Sequence, residues 1–284
     1  MEYITELTTL SEKSKKFIKQ GYSIGLVPTM GFFHEGHLSL MDRARQECDI
    51  VIVTLFVNPM QFGPQEDLTT YPRNIDRDRQ LAEERGVDIL FQPKTETMYP
   101  KGYKTSILVE DLSNKLCGIT RPSHFKGVTT IVCKLFNVTS PTVAYFGQKD
   151  AQQAIIIKRM TEDLNLPIKI EILPIVREAD GLAMSSRNAY LNPRERRAAT
   201  CLYKALTEAE TLIEKGETKS AVLIQKVKEV IGNEPLAHLE YAEIVDMHNL
   251  NHITIIEHKS LLAIALKIGK TRLIDNIIIS HYKK

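Results

Sequence analysis

The chain has 284 residues, of which 43% are apolar and 25% charged, with a formal net charge of +2. That length buries a sizeable core in one large domain or two modest ones, and the composition is that of an ordinary globular protein. The near-balance of charge argues against a polybasic surface for nucleic acid or an anionic membrane, and the longest apolar runs, such as residues 261–266, are far too short to span a bilayer. The opening residues mix acids and bases and lack the apolar stretch of a signal peptide. Cys48, Cys117, Cys133 and Cys201 are scattered and form no CxxC pair, so they read as reduced, buried thiols, and a cytoplasmic location is expected.

In chain order, the run 22–28 predicts a buried strand. A glycine-containing turn over 29–36 leads into a helix over 37–48 that carries Leu40, Met41, Ala44 and Cys48 on one face. Residues 49–57 are almost wholly apolar, as expected of a strand inside a parallel sheet. The run 58–71 contains Gly63 and two prolines before a Tyr-Pro end and reads as a loop. The pattern then predicts a helix over 74–85, a strand over 87–91, a helix over 126–137 and a strand over 142–146, followed by a helix over 150–163 and a strand over 168–173. This alternation predicts an α/β fold: a Rossmann-like parallel sheet with helices on both faces. After about residue 176 the character changes, with helical patterns over 193–216 and 220–231 and then β-rich runs over 239–246, 260–267 and 271–279. The expected division is a Rossmann-like domain over 1–176 and a smaller C-terminal α+β domain over 177–284 that covers the active site.

Three segments carry candidate chemistry. The first runs from Pro28 to His37, between a predicted strand and helix, where ligands of open α/β sheets bind and where helix N–H groups suit phosphate. Gly31 and Gly36 permit close backbone approach. His34 and His37, three apart, project on one side if the helix has begun, and could donate hydrogen bonds to a transferring phosphoryl group. The alternatives for this pair are an ordinary surface loop or a zinc site, the latter weak without a third ligand. The second segment holds Gly147, Gln148, Lys149 and Asp150, again at a strand end; Lys149 can reach an anion, Asp150 can cap a helix, and the alternative is a solvated lysine. The third, residues 181–188, contains Met184, Ser185, Ser186 and Arg187, a combination suited to a polyphosphate or to a capping turn.

The His-x-Gly-His turn after the first strand and the Met-Ser-Ser-Arg loop after the last resemble the nucleotidylyltransferase superfamily, whose HIGH- and KMSKS-type motifs hold ATP. More specifically, Val27-Pro-Thr-Met-Gly, Phe56-Val-Asn-Pro-Met-Gln-Phe, Tyr71-Pro-Arg, Arg121-Pro-Ser-His-Phe-Lys-Gly-Val, Phe146-Gly-Gln-Lys-Asp and Met184-Ser-Ser-Arg-Asn are similar to the pantoate–β-alanine ligase family, in unbroken order from about residue 20 to 195. Ser123 and Lys126 stand where Gly and Arg are frequent in that family. The resemblance implies activation of pantoate by ATP as an acyl-adenylate, then attack by β-alanine, with Mg²⁺ bridging the triphosphate through phosphate oxygens and water. It further implies that Met30, Gly31, His34, Gly36 and His37 line the nucleotide site with Gly147 and Gln148, His37 and His34 acting in phosphoryl transfer. Lys149 and the Met184, Ser185, Ser186, Arg187 loop hold phosphates, and Asp150 and Val176 contact the nucleoside. By the same resemblance Gln61 and Gln153 match the residues that bind pantoate, where neutral amides are expected to orient a carboxylate without quenching its charge as Arg would. The loop over 58–71 is expected to cover the adenylate partly. A homodimer is typical of the family. No catalytic residue is carried over beyond 193. The rival readings are a superfamily member that stops at a nucleotidyl product and a nonenzymatic ATP sensor. All of this assumes that the histidine turn and the serine–arginine loop meet around one triphosphate.

Overall fold

The apolar runs become strands and the amphipathic runs helices in a computed structural model that describes residues 1–280. The chain divides into two compact units. The first comprises Met1–Asn114, Gly118–Gln148 and Gln152–Pro174; the second comprises Lys115–Cys117, Lys149–Ala151 and the chain from Ile175 onward.

The first unit is built on β1 (Glu2–Ile4), β2 (Ile24–Thr29), β3 (Ile50–Leu55), β4 (Ile89–Phe91), β5 (Val143–Gly147) and β6 (Lys169–Leu173). They form one parallel sheet in the order β1-β4-β3-β2-β5-β6. The helices of this part of the chain are α1 (Leu7–Lys19), α2 (Glu35–Glu47), α3 (Ile75–Glu84), the short α4 (Thr95–Met98) and α5 (Cys117–Thr120), α6 (His124–Thr139) and α7 (Ala151–Asp163). Side chains of a strand alternate between faces. Val27, Val53, Leu90 and Tyr145 therefore join Leu38, Met41 and Ala44 of α2 in one buried cluster. Leu26, Ile52 and Ala144, also fully buried, point the other way, toward the side where α1 and α6 pack on β2. Burial on both faces explains the almost unbroken apolar runs, each such side chain contributing about 1.5–3 kcal/mol.

Several features of this unit differ from the sequence reading, among them the short helix α4, which was not expected, and α6, which starts at His124 rather than 126. No element was expected in residues 1–20, yet β1 pairs with β4 at the sheet edge and α1 follows it. Three residues are too few to display a period, and α1 fully buries only the positions of Leu10 and Ser14 on an otherwise charged helix. Helix α2 begins at Glu35 rather than at 37, because the His34 side chain caps it by accepting the Gly36 N–H.

Strand β2 pairs with β3 along its whole length, from Ile24↔Ile50 to Thr29↔Leu55. With β5 it pairs only at Gly25↔Val143 and Leu26↔Ala144, although the two strands continue to Thr29 and Gly147. The strand order turns at this point, between β2 and β5, the position at whose C-terminal side α/β sheets bind ligands.

The second unit contains α8 (Pro193–Ala198), α9 (Cys201–Glu214), α10 (Ser220–Gly232) and an antiparallel sheet, β7 (Ala237–Asp246), β8 (Ser260–Ile268) and β9 (Thr271–Ile279), in the order β7-β8-β9. Leu202, Leu206, Leu223 and Val227 of the helices pack on Ile244, Leu262 and Ile264 of the strands. The single helix expected over 193–216 is broken between Ala198 and Cys201. Thr200 lies in the break, where its N–H and hydroxyl both donate to the Arg197 carbonyl, at 3.3 and 2.7 Å, a tighter i→i−3 turn in place of the α-helical bond. Among the described residues, no helix is long and apolar enough to cross a membrane, and all four cysteines are buried and unbridged.

Candidate active site

The turn that leaves β2 is forced into an unusual shape. Gly31 and Phe32 both have positive φ, at 87° and 53°. A side chain at Gly31 would meet Leu55 and the Asp78 carboxylate at 3.0 Å, so this position suits only glycine. Asp78, buried on α3, accepts the N–H of Phe32 through Oδ2 at 2.7 Å and that of Phe33 through Oδ1 at 2.8 Å. Burial pushes the Asp78 carboxyl above its ordinary range, and the two backbone donors only partly offset that.

Beyond this clamp the chain enters α2. His34 is the cap residue, and its Nδ1 accepts the Gly36 N–H at 3.2 Å, which leaves the rest of the ring turned toward His37. The two imidazoles lie 4.1 Å apart, centroid to centroid, and Phe33 flanks His37 at 5.8 Å. The pair expected to act together is therefore together. A cavity of about 330 Å³ lies on the Asp78 side of the turn, lined by Met30, Gly31, Phe32, Asp78 and Lys94 among others; the histidines and Gln61 are not part of its lining.

Gln61 lies in a short 3-10 turn, Pro59–Gln61, just after β3, and its Nε2 points at the Met30 sulfur 3.0 Å away. The fold thus brings together the exit of β2 and the first of the two predicted pantoate glutamines. The Gln61 backbone carbonyl accepts from His124 Nδ1 at 2.9 Å and from Arg121 at 3.2 Å. Arg121 also donates to Glu66 at 2.7 Å, holding that carboxyl below its ordinary range despite partial burial. A side chain at Gly127 would strike the Met60 carbonyl at 2.3 Å, so α6 packs its N-terminal turn directly on this backbone. The expected loop over 58–71 is consequently tied down at Gln61 and Glu66, and again at Leu68, whose carbonyl accepts from Arg73 at 3.0 Å; its exposed residues are Pro64, Gln65, Thr69 and Thr70.

Gly147 closes β5, and the 3-10 turn Gln148–Asp150 runs straight into α7. Gln153, half-buried, lies in the first turn of α7. Lys149 and Asp150 cluster with the second unit, where the Lys149 carbonyl accepts from Asn276 at 3.0 Å and Asp150 is exposed.

In the second unit the Met184–Arg187 segment grows out of a tight hairpin. Met184 N–H donates to Val176 at 3.0 Å, and Glu178 N–H to Leu182 at 2.8 Å. Gly181, at φ 90°, leaves no room for a Cβ, which would fall 1.8 Å from the Tyr203 ring. Arg177 anchors the hairpin, with hydrogen bonds of 2.6 and 3.0 Å to buried Asp275 and its guanidinium 4.6 Å from the centre of the Tyr203 ring. Ser185 caps the 3-10 helix Ser186–Tyr190 by accepting the Arg187 N–H, and the Glu178 carboxylate joins Asn188 at 2.9 Å to Arg196 at 2.6 Å.

Several structurally important residues were missed as site components. Asn58, Arg121 and His124 occur in the quoted motifs but had no role until the fold placed them around Gln61. Asp78 gave no signal, since an acidic residue in a charged helix looks like part of a solvated face. Among the described residues, no three His, Cys, Asp or Glu side chains converge as a metal site.

Comparison with known proteins places the whole chain in one family. The family model described as pantoate-β-alanine ligase matches residues 2–278. A pantothenate synthetase of Heliobacterium modesticaldum is 54% identical over 279 residues, covering 98% of this chain and 99% of the relative. One from Thermodesulfovibrio yellowstonii is 53% identical over 280 residues, 98% and 100% of the two chains. The crystal structure of pantothenate synthetase from Thermus thermophilus superposes with a TM-score of 0.94 at 39% identity, covering 99% and 100%. A pantoate-β-alanine ligase from Francisella tularensis, complexed with β-γ ATP and β-alanine, gives 0.79 at 33% identity, covering 98% and 97%.

Proposed function

The chain belongs to the pantoate-β-alanine ligase family and is an ATP-dependent ligase that condenses pantoate with β-alanine, and we propose that residues at the C-terminal edge of its parallel sheet carry the first half of that reaction. The observations that carry this reading are the Gln61–Met30 contact and the close, tilted His34–His37 pair, both on segments that leave the C-terminal ends of neighbouring strands in one unit, next to the strand-order switch.

A pantoate carboxylate oxygen attacks the α-phosphorus of ATP; the bond to the bridging oxygen breaks and pyrophosphate leaves. The amine of β-alanine then attacks the acyl carbon, loses a proton and expels AMP, giving pantothenate, a precursor in coenzyme A biosynthesis. Gln61 and Gln153 are assigned to pantoate. Met30, Gly31, His34, Gly36 and His37, with Gly147 and Gln148, are assigned to the nucleotide, and His37 and His34 donate to the phosphoryl oxygens as their charge grows. In the second unit Lys149, Met184, Ser185, Ser186 and Arg187 are assigned to phosphates, and Asp150 and Val176 to the nucleoside. The histidine turn offers imidazoles and backbone N–H groups rather than a carboxylate cage, so Mg²⁺ enters as part of the nucleotide substrate, held by phosphate oxygens and water. By the same family reading, residues 1–176 form the nucleotide- and pantoate-binding domain of a cytoplasmic homodimer; light scattering tests the dimer.

The test is to supply ATP, Mg²⁺, pantoate and β-alanine and to identify the products. AMP and pyrophosphate that depend on both organic substrates are expected. ADP would instead indicate an acyl-phosphate route and overturn the adenylate step.

A further inference from the structure

Gln61 can serve an anionic ligand only if its amide presents N–H rather than C=O, and the orientation of that amide is not set by Gln61 itself. Its Oε1 accepts from Asn58 Nδ2 at 3.2 Å. Asn58, fully buried, is in turn oriented by backbone groups of fixed polarity. Its Nδ2 also donates to the Gly127 carbonyl at 3.0 Å, and its Oδ1 accepts the Met60 N–H at 3.3 Å. A flipped Asn58 would set donor against donor at Met60 and acceptor against acceptor at Gly127. With Asn58 so fixed, Gln61 must turn its oxygen inward and its Nε2 outward, past the Met30 sulfur, a weak acceptor that a ligand oxygen can displace.

The shortest hydrogen bond on Asn58 comes from a residue with no assigned role. Tyr99, at the C-terminal end of α4, donates its hydroxyl to Asn58 Oδ1 at 2.8 Å. Its ring is held by Tyr103 at 5.1 Å and Phe56 at 6.3 Å, with the Lys134 ammonium 5.9 Å from its centre. Burial, and secondarily Tyr103, pushes the phenol further above its ordinary range, so it remains a donor throughout the accessible pH range.

We propose that Tyr99 is a positioning residue for pantoate: through Asn58 it locks the Gln61 carboxamide with its N–H groups toward the substrate. The inference rests on the assignment of Gln61 to pantoate. Tyr99 itself touches no reacting atom in this scheme, so its removal acts on pantoate recognition and leaves the nucleotide alone.

The experiment is a double-mutant cycle with Tyr99→Phe and Gln61→Ala in the full-length enzyme, reading KM for pantoate, β-alanine and ATP from pyrophosphate release, alongside the thermal midpoint. Tyr99→Phe keeps the aromatic packing and removes only the hydroxyl. It is expected to raise KM for pantoate about fivefold, the scale of one net hydrogen bond, with KM for ATP within about twofold. In the Gln61→Ala background the same change is expected to have no further effect on pantoate, because the amide it orients is gone. Four outcomes overturn the proposal. If Gln61→Ala leaves the pantoate KM unchanged, the underlying assignment fails and the relay with it. If Gln61→Ala raises it while Tyr99→Phe does not, the assignment survives and the relay alone is wrong. Equal effects of Tyr99→Phe on all three substrates, or full additivity of the two changes, would indicate a general structural role.

Discussion

Asp78 holds Phe32 in a left-handed conformation: the carboxylate accepts the Phe32 N–H at 2.7 Å while the residue sits at φ 53°. Its second oxygen takes the next N–H, that of Phe33, so both acceptors of one buried side chain are committed to the turn that precedes the paired histidines. A non-glycine residue in that region costs on the order of 1–3 kcal/mol, which charge-assisted hydrogen bonds of about 1.5–3 kcal/mol each can offset. Asp78→Asn would keep the shape but turn an amide N–H against a backbone N–H. The expected result is a fall in kcat of about tenfold, equivalent to about 1.4 kcal/mol, with the fold retained. Unchanged turnover would show that the turn keeps its shape without the clamp.

The same carboxyl has a pH signature. Its folded-state pKa is raised by burial, so between the ordinary aspartate value and that raised value the folded chain binds more protons than the unfolded one. Stability at this group is therefore greatest at low pH and declines as pH rises through the window above about 4. Urea unfolding at a series of pH values should show the wild type losing stability relative to Asp78→Asn as pH rises from about 4. Parallel curves for the two proteins would contradict the shift.

His37→Ala is expected to slow adenylate formation about 10²-fold, the scale of losing one transition-state donor, while ATP binding weakens much less. Single-turnover pyrophosphate release measures the first quantity and equilibrium nucleotide binding the second. Near-normal release would falsify the role assigned to the ring.

Gln61→Glu places a negative charge where the proposed scheme has the amide N–H meet pantoate, and it should repel a carboxylate. A rise of at least about tenfold in KM for pantoate is expected, with ATP affected far less. An unchanged value would remove Gln61 from the substrate contacts.

The segment over 58–71 is anchored through Gln61, Glu66 and the Leu68 carbonyl, which leaves Pro64, Gln65, Thr69 and Thr70 as its exposed residues. Hydrogen exchange of residues 67–70 should slow when ATP and pantoate are both present. Equal exchange with and without ligands would leave no lid.

In the second unit, Asp275→Ala would strip Arg177 of its buried partner beneath the hairpin. Breaking such a pair is expected to cost about 3–5 kcal/mol, because a cation is left without its counter-charge. Thermal or urea unfolding reads the loss; a change below about 1 kcal/mol would class the pair with ordinary surface ion pairs.

The sequence by itself determined the layers, the succession of the longer strands and helices from β2 onward, and the positions of the motifs at strand ends. Strands covered on both faces must be apolar throughout, and helices covered on one face must repeat near every third or fourth residue, so both periods are written locally. What only the tertiary structure decided was which distant groups meet. Asp78 reaches back to Phe32 from another helix, Tyr99 and Asn58 fix the face that Gln61 presents, and β1 finds the edge of β4. The break at Thr200 belongs to the same class, since a hydroxyl can either back-bond or point to solvent and the local sequence permits both. Periodicity records which side of a segment faces the core; a hydrogen bond between residues dozens of positions apart depends on the register and separation of whole elements, and no short window of sequence contains that information.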